Sequence, residues 1–136
     1  GPAVDETRAE VSIPVLGAGV CGAHAASMAG SKIGIIGITD TPPKRMKEEL
    51  GNKFHSYSYS PILRKTTDLF WEDAKDELLA LVQRVIESGA DTILFACTGF
   101  STIRLKDYLK KNNIPVPIID LVEAQGIAYQ LVSGKK

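Results

Sequence analysis

Residues 33–38 read IGIIGI, and this stretch decides the fold class. It is apolar at successive positions, so a strand formed here presents apolar side chains to both faces of its sheet. Strands buried on both faces are typical of parallel sheets that are covered by helices on each side. A second run, TILFA at residues 92–96, has the same character. Together the two runs predict a buried parallel sheet.

Short apolar runs alternate with helical patterns along the rest of the chain. Residues 68–88 place apolar side chains at three- and four-residue spacing, which predicts a long amphipathic helix ending at Gly89. Further helices are predicted at 23–29, 44–50, 103–111 (capped by Ser101 or Thr102) and 122–132, and further strands at 13–16, 53–60 and 116–119. This alternation predicts an α/β fold with a mostly parallel sheet of about four strands flanked by helices.

The composition is that of a single folded domain. The chain has 136 residues, of which 44% are hydrophobic and 24% are charged, and this balance argues against disorder. Sixteen basic and sixteen acidic residues give no net charge, so neither a nucleic-acid binder nor a polybasic membrane module is expected. No apolar run approaches the roughly 18 residues of a membrane span. The two cysteines cannot form a disulfide scaffold, so reduced thiols in a cytoplasmic protein are expected.

The chain opens with Gly1 and Pro2 rather than with methionine, which is typical of the scar left by tag cleavage. The polar residues that follow have no signal-peptide core. We therefore expect residues 1–12 to be that scar and the remnant of a preceding segment. Residues 13–136 are expected to form one α/β lobe of a longer natural protein.

The candidate site is the edge of the sheet where the parallel strands end, because ligands bind beyond the carboxyl ends of such strands. Cys97 is the most informative residue there, since it follows a strand and precedes a turn and a helix. Free amide groups and the helix dipole at this position favour a thiolate. The alternative is that Cys97 is a small buried hydrophobic residue, as free cysteines often are.

The other candidate ligands are weaker. Cys21 is interpreted as a small packing residue near a helix start. His24 and His55 are isolated in sequence, so a Cys–His protease pair has no support, and the spacing fits no zinc site. The turn between Gly17 and Gly22 matches the GxGxxG dinucleotide fingerprint, with Asp40 as a candidate ribose ligand. Its alternative interpretation is a small-residue turn that accepts an anion.

Several stretches together resemble a known family. They are IPVLG at 13–17, AHAAS at 23–27, IGII at 33–36, GADTIL at 89–94, CTG at 97–99 and IPVPIID at 114–120. The chain is similar to the C-terminal part of the aspartate/glutamate/hydantoin racemase superfamily, and closest to its hydantoin racemase branch. The resemblance covers nearly the whole chain from Ile13 onward.

The resemblance implies one lobe of a two-lobed fold, with the active site between the lobes, two cysteines and no cofactor. One thiolate removes the proton from a chiral carbon, and the opposing thiol delivers a proton to the other face. Cys97 matches the second of these cysteines. The first belongs to an N-terminal lobe that is expected to precede residue 1, and Cys21 does not correspond to it. This chain is therefore expected to be inactive alone.

The substrate is expected to be an amino acid, a hydantoin or a small carboxylic acid. Thr39, Thr41, Thr98 and the backbone amides near Gly99 are predicted to bind its carboxylate or imide carbonyl, because hydroxyls and turn amides at strand ends suit such oxygens. An isolated lobe would also expose an apolar interface, which favours a homo-oligomer.

Two alternatives remain open. A single-cysteine decarboxylase of the same superfamily protonates an enolate on one face only. A non-catalytic α/β domain that binds a nucleotide or another ligand is the other alternative.

Overall fold

The computed structural model describes residues 17–134. In chain order these residues form α1 (Ala18–Ala29), β1 (Ile33–Gly37), α2 (Lys44–Leu50), β2 (Phe54–Tyr59), α3 (Ala74–Glu87), β3 (Thr92–Phe95), α4 (Gly99–Thr102), α5 (Leu105–Lys111), β4 (Ile118–Ile119) and α6 (Leu121–Ser133). Two 3-10 turns cover Gly51–Lys53 and Thr66–Phe70. The strand predicted at 13–16 lies outside the described residues.

The four strands form one parallel sheet in the order β2-β1-β3-β4. Every residue of β1 and β3 is buried, as expected for central strands covered on both faces. The register pairs Ile33 with Phe54 on one side and with Thr92 on the other, so the strands end at a common edge. The predicted α/β fold with a parallel sheet is confirmed.

The hydrophobic core lies in two layers, one on each face of the sheet. On one face Ile36 packs with Leu78 and Val82 of α3. On the other face Ile35 packs with Ala26 of α1. Because side chains alternate along a strand, the neighbouring residues Ile35 and Ile36 reach opposite layers. Burial of each such aliphatic side chain contributes about 1.5–3 kcal/mol, so both layers hold the strands in place.

The long helix predicted at 68–88 is wrong in its first turns. The structure has the 3-10 turn Thr66–Phe70 instead, and α3 begins at Ala74. The buried carboxylate of Asp68 accepts hydrogen bonds from the amides of Arg64 and Lys65, which closes a separate turn. The predicted end at Gly89 is confirmed, because this residue follows α3 with a φ of 117°.

The helix predicted at 103–111 is also divided. The one-turn α4 begins at Gly99, and α5 begins after Arg104, which adopts the left-handed conformation with a φ of 57°. The predicted caps Ser101 and Thr102 are wrong, since both lie inside α4. The guanidinium of Arg104 donates to the carboxylate of Asp107 at 2.9 Å.

Among the described residues, no helix is long and apolar enough to cross a membrane.

Candidate active site

Cys97 lies directly beyond the carboxyl end of β3, between the strand and α4. Its thiol is free and partly exposed, and its side chain also packs against the core. Its sulfur lies 3.3 Å from the point that a Cβ atom on Gly99 would occupy. A side chain at position 99 would therefore crowd the thiol, and the glycine lets the backbone pass close to it.

Two backbone amides beside this thiol have no backbone acceptor. The amides of Phe100 and Ser101 donate to the carbonyl oxygens of Cys97 and Thr98. Within residues 17–134, the amides of Thr98 and Gly99 have no backbone acceptor. Since α4 is only one turn long, its dipole is small. Any stabilisation of negative charge at the Cys97 turn would therefore come from these local amides.

The 3-10 turn Thr66–Phe70 packs against Gly99, beside Cys97, and was missed from the sequence. Leu69 Cδ1 lies 2.8 Å and Thr66 Cγ2 lies 4.0 Å from the same Cβ point on Gly99. The turn thus forms one wall of the space around the sulfur. Asp68, the first residue of the helix predicted at 68–88, was the one local signal for a turn at this point.

The loop after β1 lies at the same edge and carries two of the predicted binding residues. Thr39 Oγ1 donates to the carbonyl oxygen of Thr41 at 2.9 Å and lies 3.0 Å from the hydroxyl of Tyr57. Tyr57 in turn donates to the carbonyl oxygen of Thr39 at 2.8 Å. The Thr39 hydroxyl is therefore used inside the loop, whereas the exposed Thr41 side chain makes no hydrogen bond within the described residues.

The carboxyl ends of β1 and β3 are held together at this edge, because the amide of Ala96, directly after β3, donates to the carbonyl oxygen of Ile36 in β1 at 2.8 Å. Thr98 and Gly99 immediately follow Cys97, and Thr39 and Thr41 follow the adjacent strand. The structure thus brings the five predicted site residues to one edge of the sheet.

An arginine was not anticipated at this edge. Arg64 forms an ion pair with Asp40, and its guanidinium lies 5.0 Å from the ring centroid of Tyr59 at the end of β2. Asp40, the candidate ribose ligand, is thereby engaged by a cation. No periodic pattern in the sequence points to Arg64, since it lies in a loop and meets its partners only through the fold.

The glycines of the GxGxxG match serve the packing of α1. Gly19 and Gly22 lie inside the helix and not in a phosphate-binding turn. A Cβ atom on Gly22 would meet side chains of Leu121 and Leu94, so this glycine lets α1 approach the sheet and α6 closely. Cys21 is buried in the same helix. Burial raises the pKa of its thiol, and a hydrogen bond with its own backbone opposes that effect.

Neither histidine is paired with Cys97. His24 Nε2 lies 3.5 Å from Glu49 Oε2, and His55 Nε2 lies 3.1 Å from Ser88 Oγ. His55 is the second residue of β2, so it lies near the amino ends of the strands, at the edge of the sheet opposite Cys97. Over residues 17–134, no group of three or more His, Cys, Asp or Glu side chains is placed to hold a metal ion.

The fold and the site define a class of protein, namely an α/β domain that presents a free cysteine at the carboxyl edge of a parallel sheet. The family model for Asp/Glu/Hydantoin racemase matches residues 1–125. The chain therefore belongs to the Asp/Glu/Hydantoin racemase family, which confirms the resemblance drawn from its sequence. No protein with a curated description matches it significantly.

Two solved racemase structures share the fold. Allantoin racemase from Klebsiella pneumoniae superposes with a TM-score of 0.64 at 21% identity, over 90% of this chain and 52% of that one. Glutamate racemase isoform RacE1 from Bacillus anthracis superposes with a TM-score of 0.63 at 23% identity, over 96% of this chain and 52% of that one. The chain thus spans about half the length of both racemases.

Proposed function

We propose that this chain is one lobe of a cofactor-independent racemase or isomerase, in which Cys97 transfers a proton at a chiral carbon. One observation carries the proposal: the free, partly exposed thiol at the edge of the sheet adjoins two amides without backbone acceptors. Membership of the racemase family supports it. A thiol that works in a reducing compartment is consistent with the cytoplasm.

The proposed chemistry uses the thiol and the amides together. The thiolate of Cys97 takes the proton from the chiral carbon, and the electron pair of the broken C–H bond moves toward an adjoining carbonyl or carboxylate carbon. The amides of Thr98 and Gly99 donate to the oxygen on which this charge develops, with the hydroxyls of Thr98 and Thr41 in reach of the same edge. Donors fixed beforehand stabilise such a charge without reorganisation.

Racemisation also requires a group on the opposite face of the carbon, which returns the proton there. Cys21 cannot act as this group, because it is buried in α1 against the core. We therefore assign the second acid–base group to an N-terminal lobe that is not among the described residues. Proton transfer by a positioned group contributes about 10²–10⁴-fold, so the chain alone should lack appreciable turnover.

The exposed apolar side chains of α6 support the need for a partner surface. Five exposed large hydrophobic side chains lie on this helix: Val122, Ile127, Tyr129, Leu131 and Val132. We assign them to contact with the N-terminal lobe or, in its absence, with another copy of the chain. The small molecule bound at the edge is assigned to the amino acids, hydantoins or small carboxylic acids.

A single-cysteine decarboxylase is the second candidate. Between residues 17 and 134, Cys97 is the one thiol at the carboxyl edge, and one thiol suffices to protonate an enolate on a single face. Decarboxylation of a disubstituted malonate, without racemisation of hydantoins or amino acids, would favour this candidate.

Two measurements test the proposal. First, the alkylation rates of Cys97 and Cys21 by iodoacetamide are followed against pH by peptide mass spectrometry. Cys97 should react faster throughout, and reaction no faster than that of a free peptide thiol at neutral pH would contradict its activation.

Second, polarimetry on hydantoins and on acidic amino acids compares the 136-residue chain with one extended by the upstream codons of its gene. The short chain should be inactive and the extended chain active. Cys97→Ala should abolish the activity of the extended chain, whereas the matched control Cys21→Ala should retain most of it. Racemisation by the short chain would refute the missing-base argument, and an active Cys97→Ala variant would refute the role of the thiol.

A further inference from the structure

The carboxyl edge carries a cation that the proton-transfer chemistry does not use. The guanidinium of Arg64 lies over the ring of Tyr59, at 5.0 Å from its centroid, and pairs with Asp40 in the loop after β1. The guanidinium therefore lies above the carboxyl ends of β2 and β1, and β1 is the neighbour of β3, the strand that precedes Cys97. An aromatic face under a guanidinium restricts the side chain while it leaves the donors of the planar fork available.

The backbone of Arg64 is hydrogen-bonded to the 3-10 turn Thr66–Phe70, which forms one wall of the space around the Cys97 sulfur. Its amide donates to Asp68 Oδ2 at 3.0 Å, which ties it to the 3-10 turn. Thr66 of that turn packs against Gly99, beside the sulfur. Two residues span at most about 7 Å of extended chain, so Arg64 is close to this wall along the backbone.

The present partner of Arg64 is easy to replace. The side chain of Arg64 is 45% exposed and that of Asp40 is 68% exposed. Ion pairs with such exposure contribute little, because water and salt screen them. A carboxylate that is also held by the site would accept two parallel hydrogen bonds from the guanidinium, which makes it the stronger partner.

We propose that Arg64 binds the carboxylate of the substrate and makes this site select anionic amino acids or small carboxylic acids over neutral hydantoins. The inference rests on the proposed function, because it places the substrate at the Cys97 edge. In the free protein Asp40 occupies the guanidinium, and a substrate carboxylate displaces it.

Ligand protection of Cys97 tests this proposal without any need for turnover. The alkylation rate of Cys97 by iodoacetamide, a neutral reagent, is measured with increasing D- or L-glutamate and, separately, with 5-methylhydantoin. Arg64→Met removes the charge and keeps the length of the side chain, Arg64→Lys keeps the charge without the fork, and Asp40→Asn frees the guanidinium. Circular dichroism checks that each variant is folded.

Glutamate should protect Cys97, and Arg64→Met should weaken this protection by roughly 10-fold to 100-fold, as expected for charged hydrogen bonds. Arg64→Lys should restore part of the affinity, and Asp40→Asn should raise it by about 1.5-fold to 5-fold. Protection by 5-methylhydantoin should be the same in all variants.

The two proposals fail in different ways. If Arg64→Met leaves glutamate protection unchanged, or if 5-methylhydantoin protects and glutamate does not, the role of Arg64 is refuted while the Cys97 site stands. If neither compound slows alkylation of Cys97, the proposed substrate site itself is refuted, and the role of Arg64 with it.

Discussion

Tyr57→Phe should loosen the loop that carries Thr39 and Thr41. The Tyr57 hydroxyl donates to the Thr39 carbonyl oxygen at 2.8 Å and lies 3.0 Å from Thr39 Oγ1. It thus holds the start of the loop from the neighbouring strand β2. Gly37 makes room for this arrangement, since a Cβ atom there would collide with the Tyr57 hydroxyl. The hydroxyl proton of Thr39 goes to the Thr41 carbonyl oxygen, so Tyr57 makes one hydrogen bond here, to the Thr39 carbonyl oxygen. Phenylalanine keeps the ring and removes that hydrogen bond.

The expected loss of stability follows from this one hydrogen bond. A neutral hydrogen bond contributes about 0.5–1.5 kcal/mol net. Thr39 is exposed, and water can satisfy its freed carbonyl oxygen, so the loss should not exceed this range. We expect a loss of about 0.5–1.5 kcal/mol, or a shift of roughly 0.25–0.75 M in the urea midpoint at an m-value of about 2 kcal/mol/M.

Urea unfolding followed by circular dichroism measures this effect. Tyr59→Phe is the matched control, because Tyr59 lies on the same strand and its hydroxyl has no hydrogen bond within the described residues. The control should change the free energy of unfolding by less than about 0.5 kcal/mol. Equal effects of Tyr57→Phe and Tyr59→Phe would refute the assignment of the Tyr57 hydroxyl to the loop.

Two further predictions concern the packing and the amino edge. Gly22→Ala should destabilise the fold by about 1–3 kcal/mol, because its methyl group would press on Leu121. Gly126→Ala is the matched control: no neighbouring element lies within 4 Å of its new Cβ, so it should stabilise the fold by about 0.5–1 kcal/mol. Urea midpoints that move in the same direction for both variants would contradict this prediction. Hydrogen bonds to its carboxylate, first that from the Lys32 amide, hold the pKa of Asp91 below its ordinary value of 3.8. The stability that Asp91 contributes is therefore present above about pH 4 and is lost as the pH falls through the lowered pKa, so the stability difference between wild type and Asp91→Asn should be constant at neutral pH and should shrink below pH 4. A pH-independent difference down to pH 2 would refute the assignment.

The strands were predictable because their signal is local. IGIIGI and TILFA are apolar on both faces, and only a sheet covered on both sides accommodates such runs. The prediction of one long helix at 68–88 was wrong because it also relied on a local signal, namely the helical spacing of Phe70 from Ala74. In the structure Phe70 is 70% exposed and ends a 3-10 turn, because the carboxylate of Asp68 closes that turn first. A local side-chain hydrogen bond outweighed the periodicity.

The candidate site was predictable in part. Cys97 and Gly99 could be placed, because a residue after a buried strand lies at the carboxyl edge of a parallel sheet. Tyr57, Arg64 and Thr66 could not be placed, because they meet the site across 18 or more residues of sequence, as Tyr57 does with Thr39. Such contacts follow from the order of the strands, and no local pattern encodes that order.

The two edges of the sheet differ in how far their polar groups are paired within the fold, and this difference supports the proposed placement of the substrate. At the amino edge the Asp91 carboxylate accepts hydrogen bonds from the amides of Ser31 and Lys32, so its acceptor capacity is used within the fold. At the carboxyl edge two consecutive amides, at Thr98 and Gly99, lack backbone acceptors beside a free thiol. The first amides of a helix have no intrahelical acceptor, so these two remain available to water or to the oxygen of a ligand. The proposed function places the substrate oxygen at this edge, where it would accept hydrogen bonds from both amides.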